Sequence, residues 1–504
     1  MSTAHGMIAA PLRTEAIAVR RGLARAGRGD IPVRRIGSGP FPYGAAACAG
    51  AGPVLTAGVC GALVPELRPG DIVVPAEVLC LDGVVRACAG SALLAASLRR
   101  SGYRVHEGPL LQAGTLVHGR QARESLASRG AVAVDMESGE VLAAVSPAPG
   151  AVVRVVVDTP DLPLLRPGTP ARGLLALRTL ADVAPIMASY LDACGPRRVL
   201  LAAPRSFCAG VERAITTVER LLDSSNEPVY VRRQIVHNAH VVAGLEARGA
   251  VFVQELDEVA DGSTVVLSAH GVTPAVRAEA GDRDLQVVDA TCPLVAKVHT
   301  EARRAAERGD TVVLIGHADH EEVQGTVGEA PEHTVVVATV GDVAALQVPD
   351  PQRVSYLMQT TLSVDDAREV ESALLARFPT ARGPATEDIC YATSNRQQAV
   401  RTVAAQADLV LVVGSSNSSN SRRLVEVAER AGAPAYLIED VTAVRLEWLA
   451  DAAIVGVTAG ASAPPGLVAD LVGALSGLGP VDTDEITAAR EDVVFELPRE
   501  VRKP

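Results

Sequence analysis

Aromatic residues are scarce in this chain of 504 residues: they make up 3% of it, with a single Trp. Proteins that bind single-stranded nucleic acid stack the bases on aromatic side chains, so this scarcity argues against that class. A basic surplus is also lacking, because 47 Lys and Arg face 59 Asp and Glu and leave a net charge of −12. That sign disfavours a protein whose main task is to neutralise phosphate backbones. No nucleic-acid partner is therefore expected.

Targeting and membrane signals are lacking as well. The N-terminal segment MSTAHGMIAAPLRTEAIAVRR has no basic stretch followed by an apolar block and a small-residue cleavage site, so no secretory signal is expected. No apolar run approaches the ~18 residues of a spanning helix, so no membrane span is expected. The eight Cys are widely spread and include no CxxC pair, unlike a disulfide framework or most structural zinc sites. These features predict a cytoplasmic protein.

The composition is otherwise that of a large folded protein. Hydrophobic residues account for 48% and charged residues for 21%, which is ordinary globular usage. At ~100–200 residues per domain, a chain of this length holds two to four structural units. An Ala- and Leu-rich helical run ends near Cys194 and a new strand begins near Arg198. This change of pattern predicts an N-terminal domain at 1–195 and a C-terminal domain at 196–504.

The C-terminal part repeats one pattern: a short apolar run, a loop of small or polar residues, and a helix of period near 3.6. Strands that alternate with helices predict parallel sheets covered by helices, so the predicted fold class is α/β. In the first of these helices the apolar residues form one stripe that faces a sheet: Val211, Ala214, Ile215, Val218, Leu221 and Leu222. The residues just before each helix then lie at the carboxyl ends of the strands, where open α/β sheets bind ligands.

Three cysteines occupy this strand-end position, at spacings of 84 and 98 residues: Cys208, Cys292 and Cys390. One Cys per α/β unit predicts three pseudo-threefold-related units that bring the thiols to one point. A helix N-terminus beneath each thiol favours the thiolate, and three soft thiolates fit an iron–sulfur cluster with one iron that lacks a protein ligand. Plain burial is the alternative for any single Cys, and a structural zinc site is a further alternative.

Histidines recur at the same strand ends. His237, His270, His317 and His320 each follow an apolar run. Imidazole donates to phosphate oxygens and relays protons near neutral pH, so these residues are candidates for binding an anion. The remaining candidates of this type, His240 and His299, are expected on a helix surface or in a supporting role.

Hydroxyl and amide side chains add a second anion-binding pattern. Ser418, Ser419 and Asn420 stand between the apolar run LVLVV and a helix, a geometry that exposes backbone N–H groups and hydroxyls to an anion. Ser462 occupies the equivalent place in the last unit. A flexible loop is the alternative for such a serine-rich stretch.

A carboxylate and a hydroxyl complete the set of candidate residues. Glu322 lies in HEEVQGT and Thr360 in QTTLSVDD. Groups of these two types can move protons in catalysis.

At these residues the sequence resembles the 4-hydroxy-3-methylbut-2-enyl diphosphate reductase family, from Arg198 to about Leu478 and in motif order. The resemblance implies one 4Fe–4S cluster per chain, held by Cys208, Cys292 and Cys390. It also implies catalytic roles for Glu322, Thr360 and His320. The substrate is implied to be bound by His237, His270, His320, Thr360, Ser418, Ser419, Asn420 and Ser462. The sequence departs from the family pattern at Ser206, where Gly is common, at Glu321, where Pro is usual, and at Gln234, where an acidic residue is frequent.

The resemblance also implies a reaction. It is the two-electron, two-proton reductive dehydroxylation of an allylic diphosphate to isopentenyl and dimethylallyl diphosphates, the last step of the methylerythritol phosphate pathway. The open iron would act as a Lewis acid on the allylic hydroxyl, and the electrons would arrive through the cluster. Ferredoxin or flavodoxin is the implied electron donor. No glycine-rich dinucleotide fingerprint follows a strand, so no bound nicotinamide is expected. A non-catalytic, cluster-bearing sensor or scaffold is the alternative.

The N-terminal part also has an α/β pattern. Its segments GVCGAL, PGDIVV and VDMES resemble the nucleoside phosphorylase and nucleosidase family over about 150 residues. The resemblance implies that Glu137 binds ribose hydroxyls, that Asp158 protonates a purine leaving group, and that Glu15 lies near the sugar. A nucleoside attached to an isoprenoid is one candidate substrate. The part is short for the family and lacks a clear base-stacking aromatic segment, so a domain retained for packing or assembly is the alternative.

Overall fold

The structure is a computed structural model that describes residues 6–39, 42–80, 82–225 and 227–502. The chain forms two compact units. The first unit comprises Met1–Val199, Asp440–Val455 and Ala469–Thr483, and the second comprises Leu200–Glu439, Gly456–Val468 and Asp484–Pro504. The first unit thus includes two segments from beyond the domain boundary expected at residue 195. A change in sequence pattern can mark a single domain boundary along the chain. It cannot show that segments far beyond that boundary pack with the first unit.

The described residues up to Asp192 form ten strands and six helices. The strands are β1 (Met7–Ala10), β2 (Val33–Arg35), β3 (Val54–Ala62), β4 (Ile72–Val73), β5 (Glu77–Cys80), β6 (Val85–Ala87), β7 (Val105–His106), β8 (Leu110–Gln112), β9 (Ala133–Asp135) and β10 (Gly150–Asp158). The helices are α1 (Arg13–Arg25), α2 (Pro42–Ala46), α3 (Ser91–Arg100), α4 (Arg120–Ala127), α5 (Ser138–Val145) and α6 (Thr169–Asp192).

These ten strands form one mixed sheet in the order β6-β5-β8-β9-β3-β10-β4-β7, with β1 joined to β3 and β2 joined to β1. The long central strands β3 and β10 run parallel to each other. Their residues are almost all buried because helices α1, α5 and α6 pack on them. A parallel strand that is covered in this way has a nearly continuous apolar sequence, as VVRVVVD in β10 shows.

Helix α6 is the one described helix that is long and apolar enough to cross a membrane by length and composition alone. Within the protein, 56% of its most apolar stretch is buried. Core helices meet the same two criteria, so this helix is weak support for a membrane span.

The described residues from Arg197 onward form twelve strands and eleven helices. The strands are β11 (Arg197–Ala203), β12 (Val229–Arg232), β13 (Ala250–Val253), β14 (Thr264–Leu267), β15 (Gln286–Asp289), β16 (Thr311–Ile315), β17 (Thr334–Val337), β18 (Val354–Met358), β19 (Leu409–Val413), β20 (Ala435–Ile438), β21 (Ile454–Ala459) and β22 (Val481–Thr487). The helices are α7 (Ala209–Ser224), α8 (Ala239–Ala247), α9 (Pro274–Asp282), α10 (Pro293–Glu307), α11 (Glu321–Glu329), α12 (Val340–Ala345), α13 (Val364–Arg377), α14 (Tyr391–Ala404), α15 (Ser419–Arg430), α16 (Leu446–Leu449) and α17 (Pro465–Ser476).

These strands form three separate sheets, in the orders β13-β12-β14-β15, β17-β16-β18 and β20-β19-β21-β11-β22. All strand pairs of the first two sheets are parallel. The α/β fold predicted from the alternation of strands and helices is confirmed. On α7 the predicted apolar stripe packs on a core, with Ala214 and Val218 fully buried.

Two strands expected from the sequence do not form in the described part of the chain. The run before Cys390 is irregular, and the amide of Cys390 instead donates to the carbonyl of Thr360 just after β18 (3.1 Å). The apolar run VVFEL in the tail also predicts a short strand, but residues 493–497 are irregular, whereas the charged segment Val481–Thr487 forms strand β22. The charged segment forms a strand because it pairs at the free edge of a sheet, and edge strands tolerate charged residues.

Ser206, in the loop between β11 and Cys208, has a left-handed backbone with φ of 61°. This is the position where the resembled family commonly has Gly, and the strain explains that preference, since an L residue pays ~1–2 kcal/mol for this conformation. Arg396 holds the Ser206 carbonyl with two hydrogen bonds, of 2.7 and 3.2 Å. The loop is therefore fixed by a side chain from another part of the chain.

Replacement of this serine by glycine tests the strain. Ser206→Gly should leave stability unchanged or raise it by up to about 1 kcal/mol, because the relieved strain exceeds the ~0.5–1 kcal/mol of extra chain entropy that glycine loses on folding. Ser206→Ala keeps the strain and is the matched control. Differential scanning calorimetry of the full chain measures the thermal midpoints. A midpoint for Ser206→Gly below that of Ser206→Ala would contradict the strain.

Candidate active site

One cavity of about 790 Å³ collects the three predicted cysteines. Cys208, Cys292 and Cys390 all line it, and each is the residue that precedes a helix, namely α7, α10 and α14. A Cβ atom placed on Gly210 would lie 2.7 Å from the Sγ atom of Cys292 and 3.9 Å from that of Cys208. These two sulfur atoms are therefore no farther apart than the sum of those distances. Any side chain at position 210 would occupy the space beside them.

Backbone hydrogen bonds fix the position of each cysteine. Each cysteine N–H donates to a carbonyl of another loop of the same cavity: Cys208 to Ala461 (3.3 Å), Cys292 to Ala269 (3.0 Å) and Cys390 to Thr360 (3.1 Å). The convergence of the thiols is thus built into the main chain and does not depend on flexible side chains.

Burial raises the pKa of Cys292 to about 11 and that of Cys390 to about 12. Both thiols are therefore protonated at neutral pH when nothing is bound to them, whereas a coordinated metal deprotonates a thiol outright. The described lining residues include no fourth cysteine. Three soft sulfur donors on one side of a cavity fit an iron–sulfur cluster that keeps one iron free of protein ligands.

The other cysteines show what plain burial looks like in this chain. Cys60 and Cys88 belong to one apolar core cluster and Cys48 to another. Burial raises the pKa of these thiols too, but none of the three lines the cavity that contains Cys208, Cys292 and Cys390. The alternative of plain burial therefore describes these three cysteines well.

Three histidines form a second part of the cavity wall. The rings of His237 and His270 stack with centroids 4.0 Å apart, and the ring of His320 meets them edge-on at 5.7 and 6.0 Å. Burial, together with the neighbouring rings, lowers the pKa of His237 to about 3 and that of His320 to about 4. These two rings are consequently neutral near pH 7 and offer hydrogen bonds to an anion without carrying full charges.

The serine-rich loop lies at the N-terminus of α15. The hydroxyl of Ser418 accepts a hydrogen bond from the backbone N–H of Ser421 (3.3 Å), and the hydroxyl of Ser462 donates to the carbonyl of His237 (3.0 Å). Asn420 is 5% exposed, and neither polar atom of its side chain has a hydrogen-bond partner among the residues that the structure describes. A buried amide without partners costs free energy, so this arrangement indicates a polar ligand at this point.

Glu322 and Thr360 form a buried pair beside the thiols. The carboxylate of Glu322 accepts hydrogen bonds from the backbone N–H of Thr360 (2.7 Å) and from its hydroxyl (2.9 Å). Burial raises the pKa of Glu322 above its ordinary value. A carboxyl group that keeps its proton nearer to neutral pH can act as a proton donor.

Glu321, the neighbour of Glu322, is in the opposite electrostatic state. Its carboxylate lies 3.4 Å from Nδ1 of His270 and 3.4 Å from Nη1 of Arg233. Burial works to raise the pKa of Glu321, but the hydrogen bond with His270 and the charge of Arg233 bring it down to about 2. In the sequence this residue is a departure from the family pattern, and no role is predicted for it.

Twelve of the sequence-predicted residues of the C-terminal site line the same cavity. They are Cys208, His237, His270, Cys292, His320, Glu322, Thr360, Cys390, Ser418, Ser419, Asn420 and Ser462. His317, the fourth histidine predicted to bind an anion, does not line this cavity and pairs instead with Arg423 (2.6 Å). His299, which is buried against Glu329 (2.9 Å), and His240, which is exposed on α8, do not line it either. Phe495, from the tail, also lines the cavity and was missed.

A second cavity, of about 840 Å³, belongs to the first unit and is lined by Glu15, Glu137 and Asp158. Glu15 lies on α1, and its carboxylate accepts hydrogen bonds from the N–H groups of Leu12 (2.6 Å) and Val59 (2.8 Å). Burial raises the pKa of both Glu15 and Glu137. The three residues that the sequence placed in an N-terminal site are thus together.

Two buried arginines, both missed from the sequence, accompany these carboxylates. Arg154 is fully buried on β10 and pairs with Asp135 (2.6 Å) and Glu137 (3.0 Å). Arg123 pairs with Asp158. The sequence does contain a signal for Arg154, because an arginine inside the apolar run VVRVVVD must be buried together with a partner.

Comparison with protein families gives two matches. Residues 199–476 match the model described as LytB protein, and residues 37–165 match the phosphorylase superfamily model. The LytB match spans more than half of the chain, so the chain belongs to the LytB protein family, a family of iron–sulfur oxidoreductases. The phosphorylase match confirms the predicted fusion to a phosphorylase-like N-terminal domain.

Individual relatives of this chain are named as one particular enzyme. The 4-hydroxy-3-methylbut-2-enyl diphosphate reductase 1 of Mycobacterium tuberculosis is 59% identical over 324 residues, which cover 64% of this chain and 98% of that protein. The reductase of Leifsonia xyli is 54% identical over 310 residues, which cover 61% of this chain and 92% of that protein. These relatives confirm the predicted reductase of the last step of the methylerythritol phosphate pathway.

A solved structure agrees with this assignment. The E-1-hydroxy-2-methyl-but-2-enyl-4-diphosphate reductase from Plasmodium falciparum is 37% identical and superposes with a TM-score of 0.59. The match covers 61% of this chain and 97% of that one. The C-terminal fold is therefore that of a whole reductase.

Removal of the Glu321 charge should strengthen anion binding. The carboxylate lies 3.4 Å from the ring of His270, which lines the cavity. In Glu321→Gln a phosphate group in the cavity should meet less electrostatic repulsion, so the Kd for inorganic diphosphate should fall by about threefold or more. Isothermal titration calorimetry measures this, with exposed Glu332→Gln as the control. An unchanged Kd would remove Glu321 from anion binding.

Proposed function

We propose that the C-terminal cavity reduces 4-hydroxy-3-methylbut-2-enyl diphosphate to isopentenyl and dimethylallyl diphosphates, with its own residues in the roles that follow. The C–O bond of the allylic alcohol breaks, two electrons and two protons are taken up, and the oxygen leaves as water. One observation carries the proposal: three thiols, a buried carboxyl group and an unpartnered amide line one cavity.

One 4Fe–4S cluster per chain is the group that we propose for the thiols. Cys208, Cys292 and Cys390 would hold it, and these residues fit it because they supply three soft donors. When bound, the cluster supplies electrons and a Lewis-acidic iron. Gly210 leaves the adjacent space open, since a side chain there would meet two of the sulfurs.

The diphosphate would be held by neutral donors and by the start of α15. Ser418, Ser419 and Asn420 form the first residues of that helix or directly precede it, and a helix N-terminus attracts an anion through its free N–H groups. The neutral rings of His237 and His320 add donors on the other side. This local arrangement allows a protein with a net charge of −12 to bind an anionic substrate.

Proton delivery would run from Glu322 through Thr360. The Thr360 hydroxyl is within hydrogen-bond distance of the Glu322 carboxyl group, and both residues line the cavity. The raised pKa of Glu322 leaves more of it protonated near neutral pH. His320 is a second candidate for positioning the reacting hydroxyl. Both residues are buried, which limits the access of bulk water to the transfer.

Electrons would come from a reduced ferredoxin or flavodoxin in the cytoplasm. The test is anaerobic purification, iron and sulfide analysis, and an assay of the full chain with the allylic diphosphate and a reduced low-potential donor. Consumption of the substrate with formation of both products supports the proposal. Iron and sulfide without consumption would instead support a cluster-bearing sensor or scaffold.

Replacement of the carboxyl group of Glu322 separates proton delivery from cluster binding. Glu322→Gln should keep the iron and sulfide content, because Glu322 is not a proposed ligand, while turnover should fall by about 10²–10⁴-fold. Exposed Glu332→Gln is the control. Turnover at the wild-type level would exclude Glu322 from the mechanism.

For the N-terminal cavity we propose cleavage of an N-glycosidic bond of a nucleoside, carried by residues 1–195, while residues 196–504 carry the reductase. Glu137 would bind ribose hydroxyls, Asp158 would protonate the leaving base, and Glu15 would lie near the sugar. The observation that favours this is the convergence of these three carboxylates in one cavity.

The charges of this cavity favour water over phosphate as the nucleophile. Among the described residues that line it, Arg123 is the one cation, and Asp158 already pairs with it. Glu15, Asp135 and Glu137 add negative charge. A phosphate dianion would find no free cation there, whereas a neutral water molecule would not be repelled.

An assay for free base tests the N-terminal proposal. The full chain should release adenine from adenosine or a 5′-substituted adenosine without inorganic phosphate, and Asp158→Asn should lower the rate by about 10²-fold or more. Asp161→Asn is the control, since the side chain of Asp161 is 70% exposed. Release of adenine that requires phosphate would contradict the hydrolytic mechanism. No release of adenine would support the packing or assembly role.

A further inference from the structure

The segment after β22 is the part of the C-terminal unit to which sequence analysis gave no site. Residues 488–498, which we call the C-terminal strap, contain no helix or strand. We propose that this strap forms one wall of the cysteine cavity, positions the three cysteine junctions, and shields the thiols from solvent and oxidants. The shielding of a cluster rests on the proposed function, whereas the shielding of the thiols does not.

Phe495 is the residue through which the strap reaches the cavity. It lines the cavity that contains the three cysteines. Its neighbour Val494 is 88% exposed, so the two adjacent apolar side chains face opposite environments. A phenyl ring provides a large water-excluding surface, and the wall that it forms is apolar.

The first anchor of the strap is a buried ion pair. Arg396 is fully buried, and its Nη1 lies 3.0 and 3.2 Å from the two carboxylate oxygens of Glu491. Its other nitrogens donate to the carbonyls of Ser206 and Phe207, which directly precede Cys208. Arg396 itself lies on α14, the helix that begins just after Cys390. One guanidinium thus connects the strap with two cysteine junctions.

The second anchor reaches the third junction. Nε of Arg213 donates to the carbonyl of Glu496 (2.7 Å), and Nη1 donates to the carbonyl of Thr291 (3.1 Å), the residue before Cys292. Arg213 lies on α7, which begins after Cys208. Glu491 precedes Phe495 in the strap and Glu496 follows it. Each is therefore held by an arginine on a helix that starts at a cysteine.

The ends of the strap are held as well. Strand β22 precedes it, and Val501 beyond it packs on the core that contains Val218. Breaking a buried ion pair leaves one charge unpaired, which is costly, so the strap remains in place without any regular secondary structure. An apolar wall held in this way keeps water and small oxidants from reactive sulfur.

Thiol modification of the full chain tests the strap. In the cluster-free protein under anaerobic conditions, Phe495→Ala should raise the rate of alkylation by N-ethylmaleimide at Cys208, Cys292 and Cys390 roughly tenfold, because modification follows exposure. Mass spectrometry resolves each site, and the buried Cys48 and Cys88 serve as internal references. Val494→Ala is the matched control, and Phe495→Leu should restore most of the protection.

The ion pair and the cluster provide independent readouts. Glu491→Gln should also raise alkylation at the three sites, whereas Asp492→Asn, next to it and exposed, should not. In the iron-loaded chain, Phe495→Ala should lose its visible absorbance faster in air than Val494→Ala. A chain that binds no iron would refute the proposed function and leave the alkylation result to decide on the strap.

Two outcomes would overturn the proposal. One is equal alkylation of the three cysteines in Phe495→Ala and Val494→Ala, with Cys48 and Cys88 still protected. If Phe495→Ala instead exposes Cys48 and Cys88 as well, the chain has loosened and the milder variant Glu491→Gln decides. Alkylation of the three cysteines at the wild-type rate in Glu491→Gln would then overturn the proposal.

Discussion

The structure depends on holding three thiol groups, distant in the chain, at one point inside the protein. Each lies where a helix begins, and each cysteine amide is bound to a carbonyl of another loop. Burial raises the pKa of Cys292 and Cys390. Protein groups alone would leave these sulfurs protonated, so a bound metal is what their arrangement calls for. This requirement links the fold to iron–sulfur chemistry.

Two adjacent carboxyl groups in this cavity have pKa values that are shifted in opposite directions by their surroundings. Glu321 and Glu322 are successive residues on the first turn of α11, and successive helix residues point in different directions. Glu321 faces His270 and Arg233 and remains an anion, whereas Glu322 is buried against Thr360 and holds its proton more tightly. One group sets the charge beside the anion site, and the other suits proton transfer.

The cavity of the phosphorylase-like unit has a different balance of charges. Its cavity carries four carboxylates and a single arginine in the lining, and a second arginine, Arg154, is buried behind them. The two arginines offset only part of the charge of the four carboxylates, which favours a neutral, hydroxyl-rich ligand over an anion. The reductase cavity instead has neutral donors and a helix N-terminus, which favour an anion. Two cavities in one chain thus suit two different kinds of substrate.

The sequence by itself determined the α/β class and the candidate residues of the reductase site, because alternating strands and helices place loop residues at one edge of a sheet whatever the distant contacts are. It did not determine the junction at Cys390, where a backbone bond to Thr360 replaces the expected strand. Nor did it reveal that Arg396 and Arg213 hold the tail, that Phe495 enters the cavity, or that Arg123 pairs with Asp158. Only the tertiary structure decided these points, since each one is a contact between residues far apart in the chain and leaves no local periodicity to detect.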